Sequence, residues 1–153
     1  MRAVLQQQTL AKPASFSGIG LHSGNKVSMT LLPAPPNSGV IFRRVDLDSR
    51  AEIPAQVGNV AETDRSTTLS KGNAKVQTVE HVLAALYGFG VTNAVVEIDS
   101  SEPPVADGSA RQFCKMIRDA GIEPQAERVE PVQVTEPIEY THNGTVISAF
   151  PHD

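Results

Sequence analysis

The chain of 153 residues, 40% hydrophobic and 20% charged, suits one globular domain with its own core and excludes a disordered or fibrous class. A net charge of −4, with Lys and Arg scattered and no basic stripe, argues against nucleic-acid binding. The apolar runs are too short to span a bilayer, "MRAVLQQQTLAKPASF" lacks the apolar stretch of a signal peptide, and the single Cys114 suits a reducing compartment, so a cytoplasmic location is expected.

From the N-terminus the pattern is that of strands. "VLQQQTLAKPASFSGIGLH" is an extended run and "SGNK", Ser23 to Lys26, a turn. In "VSMTLLP" the residues Val27, Met29 and Leu31 alternate with Ser28 and Thr30, so one face is buried. "VIFRRVDL" starts another strand, and "EIPAQVGNV" and "RSTTLS" are shorter candidates before the turn "SKGN". Helical spacing first appears at Val79, Val82, Leu83, Leu86 and Phe89, with Thr78 as the expected N-cap and Gly88 and Gly90 as the stop. "VTNAVVEID" follows as a β-branched strand, and the loop "SSEPPVADG" leads into a second helix, "SARQFCKMIRDAG". That helix turns Phe113, Ile117 and Ala120 inward, with Cys114 read as a small buried hydrophobe, Ser109 and Gln112 as a capping box and Gly121 as the stop. The remainder, "VEPVQVTEPIEYTHNGTVISAFPHD", is strand-like, with a hairpin turn at "HNG". No repeat or linker interrupts the chain. The expectation is a single domain over residues 1–153, an α+β two-layer sandwich of mostly antiparallel sheet packed with two main helices.

Glu80 and His81 are the only ionisable side chains between Val79 and Phe89 other than the phenol of Tyr87, and they stand together at the first helix start. Neighbouring helical residues differ by about 100° in direction, so the two splay over adjacent sectors. Those sectors continue through Ala84, Ala85, Tyr87 and Gly88, a small and uncharged face that should lie against another element, a ligand or a second domain. The positive end of the helix dipole favours an ionised Glu80 and a neutral His81, the states needed for a proton acceptor and a metal ligand. One histidine does not make a zinc site, and His22, His142 and His152 do not stand at metal-ligand helical spacing from it. By composition alone a capping or surface pair is the plainer reading.

Several segments carry a resemblance. "TVEHVLAALYGFGVTNAVVEID" with "SEPPVADGSARQF", together with "SGIGLHSGNKVSMTLLPAPPNSGVIFRR" and "RSTTL", resembles the zinc-dependent UDP-3-O-acyl-N-acetylglucosamine deacetylases of lipid A biosynthesis. The resemblance runs in order over essentially the whole chain. It implies a fold of two similar domains with the active site between them, of which this chain matches the first. It implies that His81 is a zinc ligand and that Glu80 is the general base for the zinc-bound water. The substrate is then UDP-3-O-acyl-N-acetylglucosamine, which loses its N-acetyl group as acetate. In that family the remaining zinc ligands and the acid histidine belong to the second domain, so this chain alone is expected to be inactive. His142 and His152 lie in no matching motif and receive no role.

His22 in "GLHSG" and Arg65 and Ser66 in "TDRSTTL" sit in segments of the same resemblance and are candidates for substrate contact. The plainer reading of His22 is a turn histidine bonded to backbone. Asp107 in "ADGSA" and Glu102 in "SEPP" are read as turn and cap devices. The rival function is a non-catalytic module derived from this domain that binds a partner or a sugar nucleotide, and a separately encoded second half is a third possibility.

Overall fold

A computed structural model describes residues 6–152; Val4 and Leu5, where the first extended run was expected to begin, lie outside it, as does Asp153. That run is two strands, β1 (Gln6–Leu10) and β2 (Ala14–Ile19), divided where Pro13 removes a backbone donor. There follow β3 (Lys26–Pro33), β4 (Val40–Arg44), β5 (Glu52–Pro54), a single 3₁₀ turn at Val57–Asn59, β6 (Val60–Glu62), β7 (Thr68–Lys71) and β8 (Ala74–Val76). The helix α1 (Glu80–Gly88) leads to β9 (Ala94–Ile98), and α2 (Arg111–Ala120) to β10 (Ile122–Arg128), β11 (Ile138–His142) and β12 (Thr145–Ala149).

The main sheet has the order β2-β3-β9-β4-β5, antiparallel except for the β4–β9 pair. Register sorts its two faces. Met29 lies opposite Ile98, Leu31 opposite Val96, and Phe42 opposite both Val96 and Ile53, and all of these are fully buried. The alternation predicted for β3 is therefore realised, and each large apolar side chain taken from water contributes roughly 1.5–3 kcal/mol. Val82, Ala85 and Leu86 of α1 and Phe113, Met116 and Ile117 of α2 join the same core cluster, so the helices cover this face. The opposite face is polar: Ser15 meets Thr30 at 2.9 Å, Ser17 meets Ser28 at 3.1 Å, and Arg43 bridges Glu52 at 2.7 Å and Glu97 at 2.9 Å. The molecule is of the α+β class expected.

Three smaller sheets surround this unit, β6-β7-β8, β1-β10 and β11-β12. Buried Asn93 ties the β1-β10 ribbon down, donating to Gln7 at 2.8 Å and Gln125 at 2.7 Å and accepting the Gly39 N–H at 2.9 Å. Every residue of β11 and β12 is exposed, and the hairpin turns through Asn143 and Gly144, both at positive φ (47° and 77°), as "HNG" predicted. No helix among the described residues is long and apolar enough to cross a membrane.

Four local expectations are corrected. Thr78 is not an N-cap, for α1 begins without a side-chain cap and the Thr78 hydroxyl is bonded elsewhere. The Ser109–Gln112 capping box is absent too, because the Ser109 hydroxyl donates to Asp107 at 2.7 Å and accepts from Arg111 N at 3.1 Å instead. The strand after α2 is Ile122–Arg128, where β1 offers an edge, and not the "VEPVQV" stretch that follows. Cys114 is half-buried against the core instead of lying within it.

Candidate active site

Three segments distant in sequence converge at the start of α1. The end of β2 is joined to the loop after β9 through Val105 N to Ile19 O at 2.9 Å. The residues before α1 join that same loop through Gln77 N to Ser101 O at 2.9 Å. Glu80 and His81 therefore open the helix beside the "GLHSG" and "SEPP" loops.

Glu80 is exposed, and its Oε1 accepts the backbone N–H of Thr67 from the "RSTTL" segment. Partial burial pushes its carboxyl up, but its own backbone N–H, the Thr67 N–H and hydroxyl and the neighbouring His81 outweigh that, and the group is held below the usual glutamate value. It is an ionised base with one oxygen already engaged. His81 is half-buried next to it. Beyond the pair, Ala84, Tyr87 and Gly88 are exposed, Tyr87 at 88%, so the small face expected to lie against a partner is open in the structure, while Ala85 departs from it and packs into the core. Ile19 and Leu21, beside His22, are exposed as well and give the surface an apolar border.

The other candidates separate clearly. Arg65 is exposed at φ 60° and Ser66 is half-buried, so the structure brings the "TDRSTTL" loop to Glu80 through Thr67 and not through either of them. His142 lies on the exposed hairpin β11-β12, a sheet of its own, and stacks on Tyr140 at 6.3 Å. Asp107 is the turn device expected: it accepts the Ser109 hydroxyl at 2.7 Å and the Ser109 N–H at 3.0 Å, and these bonds hold its carboxyl below the usual range.

Glu102 differs from its turn-and-cap reading. It is fully buried, the one acidic side chain among the described residues to be so. It accepts the backbone N–H groups of His22 and Ser23 at 3.0 Å each, the Thr78 hydroxyl at 2.8 Å and the His22 ring at Nδ1 at 2.9 Å. Burial opposes its charge, but Ser23, His22 and Thr78 together hold its carboxyl down to about 2. His22 is thus not a histidine bonded only to backbone: Glu102 binds both its main chain and its ring. Nothing local in the sequence signals this, since the partners lie 24 and 80 residues away.

Gly20 makes the loop possible. A Cβ there would press on the Ser23 hydroxyl and come within 2.6 Å of Glu102 Oε2. We expect Gly20→Ala to cost about 1–3 kcal/mol of stability, read as a lowered midpoint in urea unfolding. An unchanged midpoint would show that the loop yields freely.

Among the described residues no group of three or more His, Cys, Asp and Glu side chains is placed to hold a metal ion. A polar cleft of about 610 Å³ lined by Gln7, Asn37, Glu127, Arg128 and Glu130 includes neither Glu80 nor His81. With Glu80, Ala84, Tyr87 and Gly88 exposed, the candidate site is an open wall.

Comparison with known proteins matches the family model of UDP-3-O-acyl N-acetylglycosamine deacetylase over residues 7–153. Relatives named UDP-3-O-acyl-N-acetylglucosamine deacetylase include one from Idiomarina loihiensis, 44% identical over 98% of this chain and 49% of its own length. One from Legionella pneumophila is 43% identical over 97% of this chain and 49% of its own, and one from Pseudomonas entomophila 51% identical over 80% and 40%. The chain spans about half the length of the curated relatives it matches. On a match that takes in both loops, the Thr67 segment and the start of α1, this chain belongs to the UDP-3-O-acyl N-acetylglycosamine deacetylase family.

Proposed function

We propose that this chain forms one wall of the active site of a zinc-dependent amidohydrolase that removes the N-acetyl group of UDP-3-O-acyl-N-acetylglucosamine in lipid A biosynthesis, in the cytoplasm. The observation that carries the reading is the Glu80–His81 pair, a carboxylate kept ionised and an imidazole at the start of a helix whose next exposed residues are small or apolar. The names of the relatives support the reaction and its substrate.

Zinc fits this surface in part. His81 would be one ligand, and since the described residues supply no further cluster, the other ligands come from a second domain packed on the bare face of α1. When bound, zinc polarises the amide carbonyl and acidifies a water to near neutrality. Glu80 takes the proton of the attacking water on Oε2, because Oε1 is held by the Thr67 N–H. That same bond fixes the carboxylate's orientation, so the proton acceptor needs little reorganisation during the reaction. In this reading His22, Arg65 and Ser66 line the substrate side, and the acid that protonates the departing amine belongs to the second domain.

The test measures acetate release from UDP-3-O-acyl-N-acetylglucosamine with zinc present. The chain alone is expected to show none, and the chain joined to the C-terminal half of the Idiomarina loihiensis relative is expected to turn over. Turnover by the chain alone overturns the shared site. A folded, zinc-loaded fusion without turnover overturns the enzymatic reading.

A further inference from the structure

We propose that Glu102 is a positioning residue for this site: through His22 it holds the ring proton on Nδ1 and leaves Nε2 as the nitrogen open to a bound substrate. The inference deepens the reading of this surface as part of an active site and rests on it.

The hydrogen-bond inventory allows one arrangement. Glu102 accepts from two backbone N–H groups and a hydroxyl, so it acts as a charged acceptor in each of these contacts. The Thr78 hydroxyl has a single proton, and that proton goes to Glu102 Oε1 at 2.8 Å. Toward His22 Nδ1, at 3.2 Å, Thr78 can therefore only accept. Nδ1 faces two acceptors, Thr78 Oγ1 and Glu102 Oε1 at 2.9 Å, and must itself carry a proton. In the neutral ring the free lone pair then lies on Nε2, in a side chain that is 40% exposed. Nε2 has no hydrogen-bond partner among the described residues.

A turn histidine needs none of this. Holding the loop requires only the backbone N–H groups, which an exposed Asp or Ser satisfies at lower cost. Here a carboxylate is fully buried, which is expensive unless every lone pair is used. Thr78, β-branched, adopts a left-handed φ of 57°, a conformation that persists only where surrounding contacts impose it. Gly20 is kept free of a Cβ that would strike Glu102. These three departures from cheap local structure serve one contact, and Thr78 stands two residues ahead of Glu80. The arrangement matches the way a carboxylate orients an imidazole and selects its tautomer in working sites.

The test is nuclear magnetic resonance of the ¹⁵N-histidine-labelled chain at a pH where the ring is neutral, with His22→Gln to assign the signal. The Nδ1–H form of His22 is expected to exceed the Nε2–H form by about tenfold or more. In Glu102→Gln the amide can turn its NH₂ toward Nδ1, and that preference is expected to be lost. A dominant Nε2–H form in the unaltered chain overturns the proposal even if the variant does not fold. So does an unchanged Nδ1–H preference in a folded Glu102→Gln chain. The spectrum needs neither zinc nor substrate, so its failure and a failure of the deacetylation assay are separate results.

Discussion

Glu80→Gln in the fusion with a relative's C-terminal half is expected to lower kcat by roughly 10²–10⁴, the usual worth of a positioned general base, with KM for the sugar nucleotide nearly unchanged. The amide has the shape of the carboxylate, and its carbonyl oxygen can still accept the Thr67 N–H, so fold and loop position should survive. What it loses is the capacity to take a proton from water. A fall confined to kcat assigns Glu80 an interaction made in the transition state, whereas a rise in KM at constant kcat would make it a substrate-binding residue instead. A fall of less than tenfold would remove it from the role of base altogether.

The second large effect concerns stability in acid. The Glu102 carboxyl lies at about 2 in the folded chain against a reference of 4.5, a difference worth about 3 kcal/mol. Because the folded value is the depressed one, that stability is fully present above pH 4.5 and is lost as the pH falls from there toward about 2. Other carboxylates held below their usual values, Asp46, Glu80 and Asp107, act in the same direction, so the measurement is a difference. The unfolding free energy of the unaltered chain minus that of Glu102→Gln should shrink by roughly 2–3 kcal/mol between pH 6 and pH 2.5. At neutral pH Glu102→Ala, which leaves the His22 and Ser23 N–H groups without their acceptor, is expected to cost roughly 3–5 kcal/mol. Equal pH dependence in the unaltered chain and in Glu102→Gln would show that this carboxylate is not the acid-labile support of the loop.

Both expectations bear on how the site is built. Glu80 meets solvent at the start of α1, while Glu102 lies beneath the loop that carries His22. On the proposed function, one acid reacts and the other holds. Their environments separate the roles: Glu80 has one oxygen engaged by Thr67, and Glu102 has both oxygens saturated by donors.

Much of this was legible along the chain because it depends on local periodicity. The alternation of Val27, Met29 and Leu31, the apolar spacing of α1 and the "HNG" turn each reflect near-neighbour geometry, and the structure realises all three. So too the pairing of Glu80 with His81 at a helix start and the small, uncharged residues beyond it. The misreadings share one cause. Thr78, Ser109 and Glu102 each have a plausible local use as cap or turn, and for each a competing partner decided the outcome. For β10 the deciding partner was the free edge of β1, more than a hundred residues earlier, which makes a strand of a segment with little intrinsic strand pattern. By itself, then, the order of residues determined the fold class, the place of Glu80 and His81 at a helix start and the family motifs, all set by short-range spacing. Only the tertiary structure decided that Glu102 is buried under His22, because its hydrogen bonds close over 24 and 80 residues and leave no periodic trace.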